Sequence, residues 1–226
     1  MKLKYLLFLA VSAIAVSCSK SDDEDEPVSE TITFLSNKDL DGHIVNSTPR
    51  TVKNAESRLD IGWTGGASTR SFLTYDLVGI TPPVQRVLKV EKVVLKVYEK
   101  NTNMLPFTGE GIQRVVEVYL LNYGTLDASD FDRATSENCG VITNTGYSVL
   151  KEYTLDVTGP VNRYLASGGS ISRLQFRLQL THNENVNTTT STLGQAMWSL
   201  FSGEDQADLN DYRPRIDVTY KWEMPE

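Results

Sequence analysis

From Thr31 onward, apolar and polar residues alternate with a period of two, and no other feature of the chain constrains its fold as strongly. Val93, Leu95 and Val97 alternate with Val94, Lys96 and Tyr98, and the runs Arg114 to Leu121, Tyr153 to Val157, Leu174 to Leu180 and Arg215 to Tyr220 repeat the pattern. Successive side chains on a strand point to opposite faces, whereas a helix needs a repeat near 3.6. Sustained helical periodicity is almost absent. Ile32 to Leu35, Gly42 to Val45, Leu59 to Gly62 and Ser71 to Tyr75 add shorter strands, punctuated by Gly65-Gly66, Pro82-Pro83, Gly109 to Gly111, Gly168-Gly169 and Gly203. About nine or ten strands with polar connections predict an all-β fold, a two-sheet antiparallel β-sandwich of jelly-roll type. One short helix is expected at Pro160 to Ala166, with Thr158 as its cap and Gly168 after its end.

The N-terminus has a different character. Lys2 and Lys4 precede an apolar stretch, Leu6 to Val16, too short for the roughly 20 residues of a spanning helix. Residues 1–17 therefore predict a signal peptide. Ala15-Val16-Ser17-Cys18 resembles a lipobox, which makes Cys18 the expected lipid-attachment site and the membrane a partner through that anchor. Residues 18–30 form an acidic tether, and its Ser21 to Glu26 run resembles a surface-export tag. The expected location is the outer membrane, facing the exterior. A plain solvated spacer is the blander reading of the same acids. With Cys18 lipidated, Cys139 has no partner for an internal disulfide.

Charge narrows the function classes. Of 22 basic and 29 acidic residues, Lys2 and Lys4 fall in the leader and six acids fall in the tether against Lys20 alone, so residues 31–226 are left at net -4. Such a domain has no bulk attraction to nucleic acid. His43 and His182 stand without a nucleophile elbow or metalloprotease motif, and acids adjacent in a loop rarely face each other across a substrate, so no catalytic residue is assigned. Asp39, Asp41, Glu204, Asp205 and Asp208 offer oxygens to a structural calcium, but no spacing commits them to a metal, and no cofactor is expected.

The block RLDIGWTGGASTRSFLTYDL, Arg58 to Leu77, resembles the signature of DNRLRE-type domains. Val93 to Tyr98, Leu155-Asp156-Val157-Thr158 with Val161 to Leu165, and Phe201 to Tyr220 resemble three further blocks in the family's order. The resemblance covers the folded part, and it implies a non-catalytic sandwich overlapping alginate-type carbohydrate-binding modules, with a polysaccharide as partner. Cations on a rigid face with an aromatic ring would suit an acidic glycan. Arg50, Lys53, Arg58, Trp63 and Arg70 are the carbohydrate-binding candidates. The competing reading has Arg58 and Arg70 as structural partners of Asp60 and Asp76. Trp198 is expected in the core, and Trp222 has no assigned role. The alternative function is a structural or adhesive surface module with a protein partner.

Overall fold

A computed structural model describes residues 28–54, 56–64, 67–80, 86–100, 115–143, 150–180, 196–202 and 212–225, with the backbone alone at Trp63, Thr64 and Ala196. Cys18, the signal and most of the tether lie outside these residues, as do His182, Glu204, Asp205 and Asp208.

The alternation becomes two antiparallel sheets. The smaller has the order β1 (Glu30–Leu35), β12 (Arg215–Glu223), β6 (Val87–Tyr98), β9 (Glu152–Asp156). The larger runs β11 (Ala196–Phe201), β4 (Arg58–Thr64), β5 (Ala67–Asp76), β10 (Arg173–Leu180), β7 (Val115–Leu121), β8 (Glu137–Thr143), and a hairpin of β2 (Gly42–Val45) and β3 (Thr51–Asn54) joins it through β5. The run β5-β10-β7-β8 facing β1-β12-β6-β9 is the strand order of a jelly roll, with β2, β3, β4 and β11 as additions.

Between the sheets, Val93, Leu95 and Val97 of β6 and Ile216 and Val218 of β12 meet Leu73 and Tyr75 of β5, Leu174, Phe176 and Leu178 of β10 and Val116, Val118 and Leu120 of β7, all buried. Each comes from the apolar half of its alternation, which is why period two suffices to place them. Trp198 is in this core as expected, its ring edge-on to Tyr153 at 5.0 Å. Trp222 is half-buried against Tyr220 at 5.5 Å.

Twelve described strands exceed the expected nine or ten; β3, β8 and β11 are the additions. β3 carries Val52 as its sole apolar residue, and in β8 Gly140 interrupts the pattern at φ +109°. β6 starts six residues before Val93. Lys92 pairs with Thr219 and Val90 with Tyr220, so Glu91 is an extra residue that reverses the phase and hides the strand's first half from a strict period of two.

The helix α1 begins at Thr158, not Pro160, and spans Thr158–Ala166. Thr158 does not cap it. Its Oγ1 donates to Asp156 Oδ1 at 2.6 Å and accepts from the Val93 N–H at 2.8 Å, tying the helix to β6 instead. Gly168, at φ +91°, follows the end as expected.

Candidate functional site

Strand register decides which candidates share a face. His43 lies opposite Lys53 on β3 and Ser71 on β5, and Ile44 lies opposite Val52 and Arg70. Paired residues point the same way and successive ones point oppositely, so Lys53 and Arg70 are on opposite faces. The four basic candidates therefore do not form one surface. Lys53 pairs with Glu56 at 3.3 Å, and Arg58 Nε with Asp60 Oδ2 at 3.2 Å. Asp60 is buried; its Oδ1 accepts from Ser199 Oγ, and its backbone oxygen accepts from Ser71 Oγ at 2.7 Å. His43 Nε2 is 3.9 Å from Asp60 Oδ2. Burial lowers the His43 pKa, and Lys53 and Arg58 push the same way, against the pull of Asp60 and Glu56. A buried neutral histidine offers no base to a substrate in solvent. Trp63 occupies β4 opposite Ser68 and Ala196, and its side chain lies outside the described residues.

Arg50 and Arg70 come together on the outer face of the large sheet. Residues 122–133 lie across that face and bury Tyr123, Leu126 and Phe131 against Ile44, Phe72 and Leu121, a second core separate from the first. The segment ends in a 3-10 helix, Ala128–Asp132, closed by reciprocal bonds: Asp127 Oδ1 accepts from the Ser129 N–H and Asp130 Oδ2 accepts from the Asp127 N–H, each at 2.7 Å. Arg70 lies 4.0 Å from the Phe131 ring centroid and Arg50 4.9 Å. Arg50 Nη2 bonds Asp132, and Arg70 Nη1 donates to the Phe131 carbonyl. Arg177, only 6% exposed, donates from Nη1 to the carbonyls of Arg133 at 2.8 Å and Phe131 at 3.2 Å. Three guanidinium groups thus anchor the last turn of the covering segment. Asp76, which the sequence suggested as a partner of Arg70, instead takes Arg173 Nε and Asn37 Nδ2, both at 2.6 Å.

Beyond the covering segment the same face presents Glu117 and Tyr119 of β7 beside Gln179 and Arg177 of β10, in register Glu117 with Gln179 and Tyr119 with Arg177. The Tyr119 hydroxyl donates to Glu117 Oε2 at 2.8 Å, Gln179 Nε2 donates to the same oxygen at 3.3 Å, and the Arg177 guanidinium carbon is 5.6 Å from the Tyr119 ring centroid. Burial, then the bond to Glu117, raises the Tyr119 pKa and keeps its proton on. Gln179 Oε1 is buried without a hydrogen-bond partner among the described residues.

No family model matches the chain, and no curated protein matches it.

This face combines a half-buried phenol ring, a carboxylate, an amide and guanidinium groups on two interior strands whose backbones are fixed on both edges. Such a set donates and accepts hydrogen bonds at fixed points and holds an aromatic ring beside them. Asp41 accepts from the Thr74 N–H at 2.8 Å while Asp39 is exposed, and among the described residues no three acids, histidines or cysteines are grouped to hold an ion. Among the described residues no helix is long and apolar enough to cross a membrane. Sequence reasoning missed Glu117, Tyr119, Arg177 and Gln179 because they are the polar half of two ordinary alternations. A signal was present in Arg173–Leu180, where every polar position carries a long arginine or glutamine rather than the short or β-branched residues that suit a plain solvated strand.

Proposed function

We propose that this protein is a non-catalytic surface lipoprotein that binds polysaccharide through the outer face of its large sheet, at Glu117, Tyr119 and Gln179 with Arg50 and Arg70 on the adjoining rim. The observation that carries the reading is the hydrogen-bonded row of Tyr119, Glu117 and Gln179 on rigid neighbouring strands. The resemblance of Arg58 to Leu77 and the later blocks to DNRLRE-type domains points to the same ligand class. The lipobox-like Ala15 to Cys18 and the acidic tether support anchoring at Cys18 in the outer membrane, with the domain facing outward.

Of the sequence candidates, Arg50 and Arg70 stay in the site. Lys53 and Arg58 leave it, since their face meets Asp60 and Glu56. The reading is tested by affinity electrophoresis of the full chain against neutral and uronic-acid polymers at low and high salt. Tyr119→Ala and Glu117→Gln should each reduce retardation at least about fivefold, while Lys53→Ala with Arg58→Ala should leave it unchanged. Salt-sensitive retardation by the uronic-acid polymer would assign a charge contribution to Arg50 and Arg70. If no polymer retards the chain, the glycan reading fails and a protein partner takes its place.

A further inference from the structure

The covering segment divides the outer face, and on its far side lies a cleft of about 410 Å³ lined by Asp76, Asn122, Tyr164, Ser170, Ser172 and Arg173 among others. We propose that this cleft is a second binding site, one that takes a single sugar acid: a hydroxylated small molecule carrying one carboxylate.

Five features of the cleft carry the proposal. Its volume sits at the low end of the roughly 300–1,000 Å³ range of small-ligand sites, room for one or two sugar rings. Its lining is polar and apolar in about equal parts, hydroxyl, amide and charged groups facing Val78, Leu121 and the Tyr164 ring, which suits a sugar ring with hydroxylated edges and apolar C–H faces. Arg173 is 44% exposed, and its Nε is committed to Asp76 Oδ1 while its two terminal nitrogens have no partner among the described residues. Asp76 is itself fixed by Asn37, so the guanidinium is held side-on with its other edge open to the fork geometry that a carboxylate accepts. The walls are rigid: Gln175 makes four bonds beneath the segment, and Tyr164 lies so close to Gly169 that a Cβ there would stand 2.4 Å from the ring. Ser170 and Ser172, bonded to each other at 2.7 Å, supply hydroxyls that can turn toward a ligand.

The charge of Asp76 sets the class of anion. A singly charged carboxylate approaching Arg173 meets one neighbouring negative charge, and a phosphate ester near neutral pH presents close to two against it. Sugar acids are favoured over sugar phosphates on this ground, and over neutral sugars by the open guanidinium edge. The site is independent of the polysaccharide reading of the Tyr119 face. Its ligand has two sources, a free sugar acid or the terminal unit of a uronic-acid polymer.

The test is isothermal titration of the full chain with glucuronate, galacturonate, glucose, glucose 6-phosphate and a short oligouronate. Saturable binding of a uronate, at least about tenfold tighter than glucose or the phosphate ester, is expected. Arg173→Gln should weaken it at least about tenfold, and Val78→Trp, which adds bulk at the lip without touching the ion pair, should do the same. Val78 is 84% exposed, so that variant folds even if Arg173→Gln does not. Tyr119→Ala should leave uronate binding intact, which separates this site from the polysaccharide face. Equal dependence on Arg173 for oligouronate and monomer assigns the source to a chain end; binding of the monomer alone assigns it to the free acid. No uronate binding at about 10 mM, binding indifferent to both cleft variants, or binding lost in Tyr119→Ala would overturn the proposal.

Discussion

Gln175→Leu removes the side chain that fixes the start of the covering segment, at Tyr123 and Gly124, over the large sheet, and its cost can be worked from the bonds it breaks. Gln175 is 2% exposed, and its Oε1 accepts from the backbone N–H groups of Tyr123 and Gly124 at 2.9 Å each. Its Nε2 donates to the Gly124 carbonyl at 2.9 Å and to Thr74 Oγ1 at 3.1 Å. Leucine fills similar volume and bonds none of them. The Tyr123 N–H is buried, so its desolvation goes uncompensated at about 2 kcal/mol. Gly124 is half-exposed and recovers part of its bonding from water, leaving about 1 kcal/mol for its two groups. Thr74 keeps its bond to the Tyr123 hydroxyl at 2.7 Å and adds little. The sum is about 3 kcal/mol, which lowers Tm by about 6–12 °C in a domain of this size. Hydrogen exchange supplies the specific readout: the Tyr123 and Gly124 amides should lose protection ahead of the β6 and β12 amides. A variant within about 0.5 kcal/mol of wild type, with those two amides still protected, would refute the assignment of Gln175 as the clamp.

Two further predictions rest on buried titratable groups. The folded pKa of His43 lies below its ordinary 6.5, so between 6.5 and that lower value the unfolded chain binds a proton that the folded chain refuses, and stability falls as pH drops through this window. Tm measured from pH 8 to pH 5 should decline, and His43→Gln should flatten the decline around the histidine range; equal slopes for the two proteins would show that His43 does not contribute. Burial pushes the Cys139 thiol up to about 12, so the folded protein should not react with iodoacetamide at pH 8, and rapid labelling without denaturant would place Cys139 elsewhere than at the core.

The fold was legible wherever one face of a strand is uniformly apolar. Leu174, Phe176, Leu178 and Leu180 leave no other reading, and every strand expected from alternation is present, its ends at most six residues from the expected ones. What was lost has local causes: β3 has too few apolar residues, Gly140 breaks β8, and Glu91 reverses the phase of β6. The candidate site was much less legible, because alternation says that a residue points outward and not what it meets there. Arg70 and Lys53 look equivalent in sequence. Only the register of β2 against β3 and β5 sends one to Phe131 and the other to Glu56.

The same limit explains why the polar residues with the most structural consequence are the ones hardest to find. β7 and β10 are more than fifty residues apart in sequence, and the jelly-roll crossing makes them neighbours, so Tyr119 acquires Arg177 and Glu117 acquires Gln179 only in the folded chain. Once adjacent, their long polar side chains are not merely solvated. Arg177 and Gln175 are drawn under residues 122–133 to satisfy carbonyl and N–H groups that the second core takes away from water. Covering part of a flat sheet face in this way costs several buried polar groups, and it produces what an uncovered face lacks: a ridge with an aromatic, carboxylate-bearing row on one side and a concave cleft on the other. Specific recognition needs such relief, and here the relief is created by polar residues that alternation alone would assign to solvent.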